Sequence, residues 1–240
     1  MIPARIARQI GRVHKWVGLL VGVQVLFWMV SGVVFSLSSI ERVRGENLVS
    51  HYIKTEISVS RINVDLKEAL KKVAADAPLS VELKQLAGEA IYLIRDSVGL
   101  FIVSAETGRV LSPLNADQIE AIAKDVWVGE GDLLSVEQVT TSTSGYNGSL
   151  PVWRAEFEGK GKPQMFISPT TGEVVAVRTD QWRLYDFLWK LHVMDWDDGE
   201  DTNHIWLTLA AIAGLTLTLF GFALLFHRFG RTLARSPKTD

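Results

Sequence analysis

Four of the five histidines in this 240-residue chain border long apolar runs. His14 stands just before the first run, residues 17–37, and His227 directly follows the second, residues 205–226. His204 opens the second run, and His192 lies twelve positions ahead of it. Neutral imidazole is an axial ligand for haem iron, and a porphyrin needs an apolar slot between helices. At 100° per residue, Gly11, His14, Gly18, Gly22, Val25, Met29 and Gly32 share a sector about 80° wide, which puts His14 on the expected helix-contact face. His14 and His227 are expected at matching depth, as one candidate pair of haem ligands. His192 and His204 make a second pair, since the chain between them must turn at Gly199. The competing reading makes each a polar residue at a membrane boundary, as beside Lys15 or Arg228. His51 has no partner in this pattern and reads as a surface or packing residue.

Other chemistry is thinner. Asp195, Asp197, Asp198, Glu200 and Asp201 offer the carboxylate oxygens that hard cations favour. Their spacing fails an EF-hand loop, with Gly199 at the fifth position and Trp206 where the bidentate Glu belongs. The stretch reads instead as a solvated outer loop or a docking site for ferric or basic partners. Gln24, inside the first run, reads as a hydrogen bond to a neighbouring helix. The absence of cysteine excludes thiolate metal sites, thiol catalysis and cysteine-ligated clusters. No Walker A or dinucleotide glycine pattern, Gly-x-Ser-x-Gly elbow or His-Glu-x-x-His motif occurs.

The apolar runs must position the histidines. Each is about 21 residues, enough for one bilayer crossing. Arg5, Arg8, Arg12 and Lys15 precede the first, and Arg228, Arg231, Arg235 and Lys238 follow the second. Twenty-six of the 27 acidic residues and 17 of the 25 basic ones lie between the runs, giving −9 there and +7 in the flanks. The positive-inside rule then puts residues 1–16 and 227–240 in the cytoplasm and the middle of the chain outside. A signal peptide is the alternative for the first run. That run exceeds the roughly 7–15 residues of a signal h-region, and its glycines suit a retained, packed helix. The acidic middle region disfavours nucleic acid, which needs a basic footprint. The basic flanks suit the anionic heads of the lipid bilayer.

Between the runs the pattern suggests a repeat. Val103-Ser104-Ala105-Glu106-Thr107-Gly108-Arg109-Val110 returns 64 positions later as Ile167-Ser168-Pro169-Thr170-Thr171-Gly172-Glu173-Val174. Each Thr-Gly pair predicts a β-hairpin turn. Amphipathic helices are predicted over 64–75 and 116–126. Strands are predicted over 79–86, 90–95 and 99–104, then over 133–140, 152–158, 164–168 and 173–178. Residues 142–150 read as a polar loop. The expected architecture is two α+β units, each a helix on an antiparallel sheet, over 55–113 and 114–179. An amphipathic stretch, 181–194, carries Trp182, Tyr185 and Trp189, with Trp196 following, and is expected near the outer membrane surface. With the acidic loop it makes up residues 180–204.

Three stretches together resemble the PepSY-associated transmembrane family. They are Arg12-Val13-His14-Lys15-Trp16-Val17-Gly18 with Ser31-Gly32, the doubled Thr-Gly hairpin, and Leu191-His192-Val193-Met194-Asp195-Trp196 with Asn203. The resemblance covers nearly the whole chain. It implies a bacterial inner-membrane protein with two transmembrane helices flanking a periplasmic tandem of PepSY-like units. Larger members often have four spans, and some resemble iron-regulated membrane proteins and siderophore-iron reductases that hold haem b.

Two functional expectations follow. In the first, the chain is a haem-b redox subunit linked to iron uptake or respiratory electron transfer, with His14, His227, His192 and His204 as axial ligands. Two helices cannot enclose a haem, so this reading calls for a homodimer or another membrane subunit. It also calls for a separate electron donor, because the chain has no flavin or nicotinamide domain. In the second, the chain is a non-catalytic, membrane-anchored interaction or assembly module of a larger complex.

Overall fold

The computed structural model describes residues 4–50, 57–196 and 202–233. His51, the acidic positions Asp197, Asp198, Glu200 and Asp201, and the C-terminal residues 234–240 lie outside these ranges. The fold is α+β, with two antiparallel sheets, and it divides into two compact units. One is residues 39–183; the other joins residues 1–38 to 184–240.

In the first unit a short helix α2 (Ile40–Val43) precedes α3 (Leu66–Lys72). Strands β1 (Ser80–Leu86), β2 (Glu89–Arg95) and β3 (Leu100–Ser104) follow and form one sheet in that order. Then come α4 (Ala116–Val126), β4 (Leu133–Val139), β5 (Val152–Phe157), β6 (Gln164–Ile167) and β7 (Val174–Arg178), the four strands forming a meander. Each strand lies within one residue of its predicted bounds, because the apolar residues that predict it are the ones it buries. In β2, Ile91 and Leu93 face one core while Ala90, Tyr92 and Ile94 face another.

Helix α4 starts where Asn115 and Gln118 form a reciprocal capping box. Its apolar stripe, Ile119, Ile122 and Ala123, is fully buried. Helix α3 is shorter than the predicted 64–75. Asp65 caps its start, and Ala74 takes a left-handed φ of 53° just past its end. That turn buries Ala75 instead of extending the helix. The α4 stripe packs against Ile91, Leu93 and Ile102 of the first sheet and against Ala155, Phe157, Met165 and Ile167 of the second. Helix α4 thus joins the two sheets through one core, while α3 packs on the other face of the first sheet through Ala69 against Ala90, Tyr92 and Ile94.

Both Thr-Gly turns are wired alike. Ser104 N–H donates to the Arg109 carbonyl and Gly108 N–H to the Ser104 carbonyl, at 2.9 Å each. Ser168 donates to Glu173 at 3.0 Å and Gly172 to Ser168 at 2.9 Å. Both glycines have φ of 71°. Only the second turn joins two full strands, β6 and β7; the first closes on a single bridge, Val103 to Val110. The stretch 142–150 is less plainly a solvent loop than its composition implied. Its Tyr146 is buried and stacks on Phe166 at 4.9 Å, covering the outer face of the second sheet.

The second unit contains α1 (Ala4–Leu37), most of α5 (Asp180–Val193) and α6 (Ile205–Leu233). Within α6, Ile205–Phe229 is long and apolar enough to cross a membrane. In α1, Arg8–Leu19 and Val21–Leu37 reach that length and apolarity only as a pair, inclined by 56° to each other.

Candidate functional site

Helix α1 carries two contact faces. One meets α6. A Cβ placed on Gly221 would lie 3.3 Å from His14 Cε1, and one on Gly18 would lie 3.4 Å from Leu217 Cδ1. These contacts set an antiparallel register, 14 against 221 and 18 against 217. His227 lies six residues beyond Gly221, about 9 Å further along the helix axis. His14 and His227 thus differ in level, where the sequence suggested matching depth. Run lengths alone do not fix the register; the glycine contacts do. The Nδ1 atoms of both histidines are buried without a hydrogen-bond partner.

The other face of α1 meets α5 through Gln24, Trp28, Ser31 and Phe35, spaced to share one stripe of about 60°. This stripe lies about 110° round the helix from the predicted glycine face. Of that predicted face, Met29 is 64% exposed, and Gly22 and Gly32 have open space beside them. The prediction assumed one straight helix with one neighbour, whereas α1 is bent and meets two.

The α1–α5 contact solves a backbone problem. The last carbonyls of a helix have no intrahelical partner. At the end of α5, Gln24 Nε2 donates to the Leu191 carbonyl at 3.0 Å and Trp28 Nε1 to the His192 carbonyl at 2.7 Å. His204 Nε2 donates to the Val193 carbonyl at 2.7 Å. Three consecutive orphan carbonyls are thereby satisfied by side chains from α1 and from the start of α6. Gln24 does what its sequence position suggested, bonding to a neighbouring helix.

This capping ties His204 to the carbonyl of Val193, the residue after His192, at the end of α5. The His192 ring lies among Phe35 at 5.5 Å, Trp189 at 6.3 Å and Trp28 at 6.4 Å. Its Nδ1 is 2.7 Å from Ser31 Oγ, and Ser31 is fully buried. Burial holds the His192 imidazole below its ordinary pKa, so the neutral, lone-pair-bearing form is favoured. A carbonyl only accepts, so the bond from His204 Nε2 fixes its proton there and leaves Nδ1 as the basic nitrogen.

Two imidazoles are too few for a protein-only metal cage. Among the described residues no group of three or more metal-ligating side chains gathers. Two is the number that a haem iron takes on its open axial positions. The donor chemistry of a neutral imidazole suits that group. Sequence reasoning did not single out Ser31, Trp28 or Phe35 for the site. Their signal was a stripe at 24, 28, 31 and 35, masked by the stronger glycine periodicity.

A second feature lies in residues 39–183. A cavity of about 690 Å³ opens between the edge strands β1 and β7, over α4. Lys84, Gln85, Ile122, Asp125, Val175 and Arg178 are among its lining. Lys84 bridges Glu82 at 3.0 Å and Glu173 at 3.2 Å. Gln85 Oε1 is buried without a partner, and Val175 sits at an irregularity in the β6–β7 pairing. The sequence offered no sign of this cavity, which arises only where two sheets present edges to each other.

The chain joins an α+β unit to an apolar helix long enough to cross a membrane. The family described as the PepSY-associated TM region matches residues 11–239, and the chain belongs to that family. No curated protein and no solved structure matches it.

Proposed function

We propose that this protein is an inner-membrane haem-b redox subunit of the PepSY-associated class, serving iron uptake or respiratory electron transfer. Helices α1 and α6 both span the bilayer, both termini are cytoplasmic, and residues 39–204 are periplasmic. The sorting of charge supports this topology, and the matching turns at Gly108 and Gly172 support a duplicated PepSY-like unit. The observation that carries the redox reading is the network that holds the His192 ring on Ser31 and the His204 ring on the carbonyl of Val193, the residue after His192. They are the outer ligand pair. His14 and His227 form an inner site, whose buried, unpartnered Nδ1 atoms call for a ligand. Their unequal levels within one chain favour completion by a second copy or another membrane subunit. Bound haem would supply one-electron chemistry; the protein would supply the imidazoles and orient those of His192 and His204 through Ser31 and the Val193 carbonyl. The test is a reduced-minus-oxidised visible spectrum of the detergent-purified protein with haem counted per chain. Sharp b-type bands that His192→Ala or His204→Ala diminishes are expected. A folded, haem-replete preparation without a Soret band would overturn the reading.

A second reading is favoured by the cavity between β1 and β7. Its size and the two sheet edges that flank it suit an extended segment of a partner protein, as in a membrane-anchored assembly module. Val175→Trp, at a 47% exposed lining position, would then abolish co-purification of the partner while leaving any haem spectrum unchanged.

A further inference from the structure

Ser31 is fully buried within α1, and its hydroxyl has three neighbours. Oγ lies 2.6 Å from the Phe27 carbonyl, 3.2 Å from the Trp28 carbonyl and 2.7 Å from His192 Nδ1. A serine hydroxyl has one proton to give. Both carbonyls are acceptors only. If that proton went to His192, Oγ would face a carbonyl oxygen at 2.6 Å with lone pair against lone pair, in a site without exposure to solvent. The proton therefore belongs on the Phe27 side. The remaining lone pairs of Oγ must accept, and the donor available to them is an Nδ1–H on His192.

We propose that Ser31 is a positioning residue that locks His192 as the Nδ1–H tautomer and leaves Nε2 as the nitrogen open to iron. The aromatic neighbours Trp28, Phe35 and Trp189 hold the ring's place but donate nothing to Nε2, and among the described residues no protein group bonds that atom. A histidine ligand characteristically donates its other ring N–H to an outer partner, which fixes its orientation and raises its basicity. His204 is fixed in the opposite sense by the Val193 carbonyl. The outer pair therefore presents Nε2 from one histidine and Nδ1 from the other. The assignment of Nε2 to iron rests on the haem reading above; the assignment of the tautomer does not.

The experiment is ¹⁵N NMR of the haem-free full chain in detergent, labelled at its five histidines, at about pH 8. His192→Gln assigns the signal. Wild-type protein is expected to show protonated Nδ1 and unprotonated Nε2 at His192, and Ser31→Ala to mix the two tautomers. Ser36→Ala is the control: its Oγ bonds the Val33 carbonyl on the same helix but is exposed, and it should change nothing. With haem added, Ser31→Ala is expected to weaken binding about 10-fold or more and to shift the reduction potential. An Nε2–H tautomer in the wild type would overturn the proposal without any variant being made. So would an Nδ1–H signal that Ser31→Ala leaves unmixed. An Nδ1–H tautomer in a chain that never develops a Soret band would overturn the haem reading while upholding the role of Ser31.

Discussion

At His192, burial acts on the charged form alone. The folded imidazole sits below its ordinary value of 6.5, so near pH 6 the folded chain binds fewer protons than the unfolded one. Its contribution to stability is therefore complete above 6.5 and is lost as pH falls through the folded value. The melting temperature of the solubilised protein is expected to drop between about pH 7 and pH 5. In His192→Gln, part of that slope should vanish; an unaltered slope would remove His192 as its source. The same ring shows why residue type alone did not define the site. Nothing about a histidine before an apolar run says that a serine 161 positions earlier will hold it.

Helix pairing depends on a few close approaches. Gly221 lies against the His14 ring, whereas Gly22 and Gly32 have nothing within 4 Å. Gly221→Leu is expected to lose about 1–3 kcal/mol through overpacking, seen as a lower melting temperature in detergent. Gly22→Ala and Gly32→Ala should be close to neutral. If all three behave alike, the α1–α6 register described here is wrong. The two Thr-Gly turns allow a matched comparison in the other unit. Both glycines have φ of 71°, so Ala at either site costs roughly 1 kcal/mol in backbone strain. At Gly172 the new Cβ would also meet Leu86 Cδ1 at 2.7 Å, while at Gly108 the nearest atom is 3.4 Å away. Gly172→Ala should therefore be the more damaging change, by about 1–3 kcal/mol, in thermal melts of the two single variants. Equal melting temperatures would show that Leu86 moves aside at no cost.

For the molecule as a whole, topology is the property most open to direct test. The native sequence has no cysteine, so each introduced thiol reports one position. Ser60 and Arg5 are both exposed. In intact cells, Ser60→Cys is expected to react with a membrane-impermeant maleimide, and Arg5→Cys only after the membrane is opened. Labelling of Arg5→Cys in intact cells would overturn a cytoplasmic N-terminus. The apolar side chains left uncovered on α5 and beside it fit this arrangement. Leu184 and Phe187 are more than half exposed, as are Trp196 and Trp206. Tyr185 and Trp189, by contrast, pack on Phe35, so only part of the aromatic stretch is free to meet lipid.

Local rules settled the elements. Short apolar runs, alternating or continuous, between turn residues set the strands, the Asn115–Gln118 cap and apolar stripe set α4, and paired Thr-Gly steps set two alike turns. Each depends on interactions between near neighbours in the chain, and the sequence displays those directly. The helix that spans and the family likewise were legible, since unbroken apolarity and short motifs survive without a fold. What the tertiary structure alone decided was register and partnership. It set Gly221, not His227, against His14. It gave α1 a second face for α5, used three side chains to cap the α5 carbonyls, and thereby joined Ser31, His192 and His204. It also made α4 serve both sheets and left a cavity between β1 and β7. The contacts of α1 with α5 and α6 join residues more than a hundred positions apart. Many pairings of the same helices satisfy the same periodicities, and only close packing and the demand to satisfy buried polar groups choose among them.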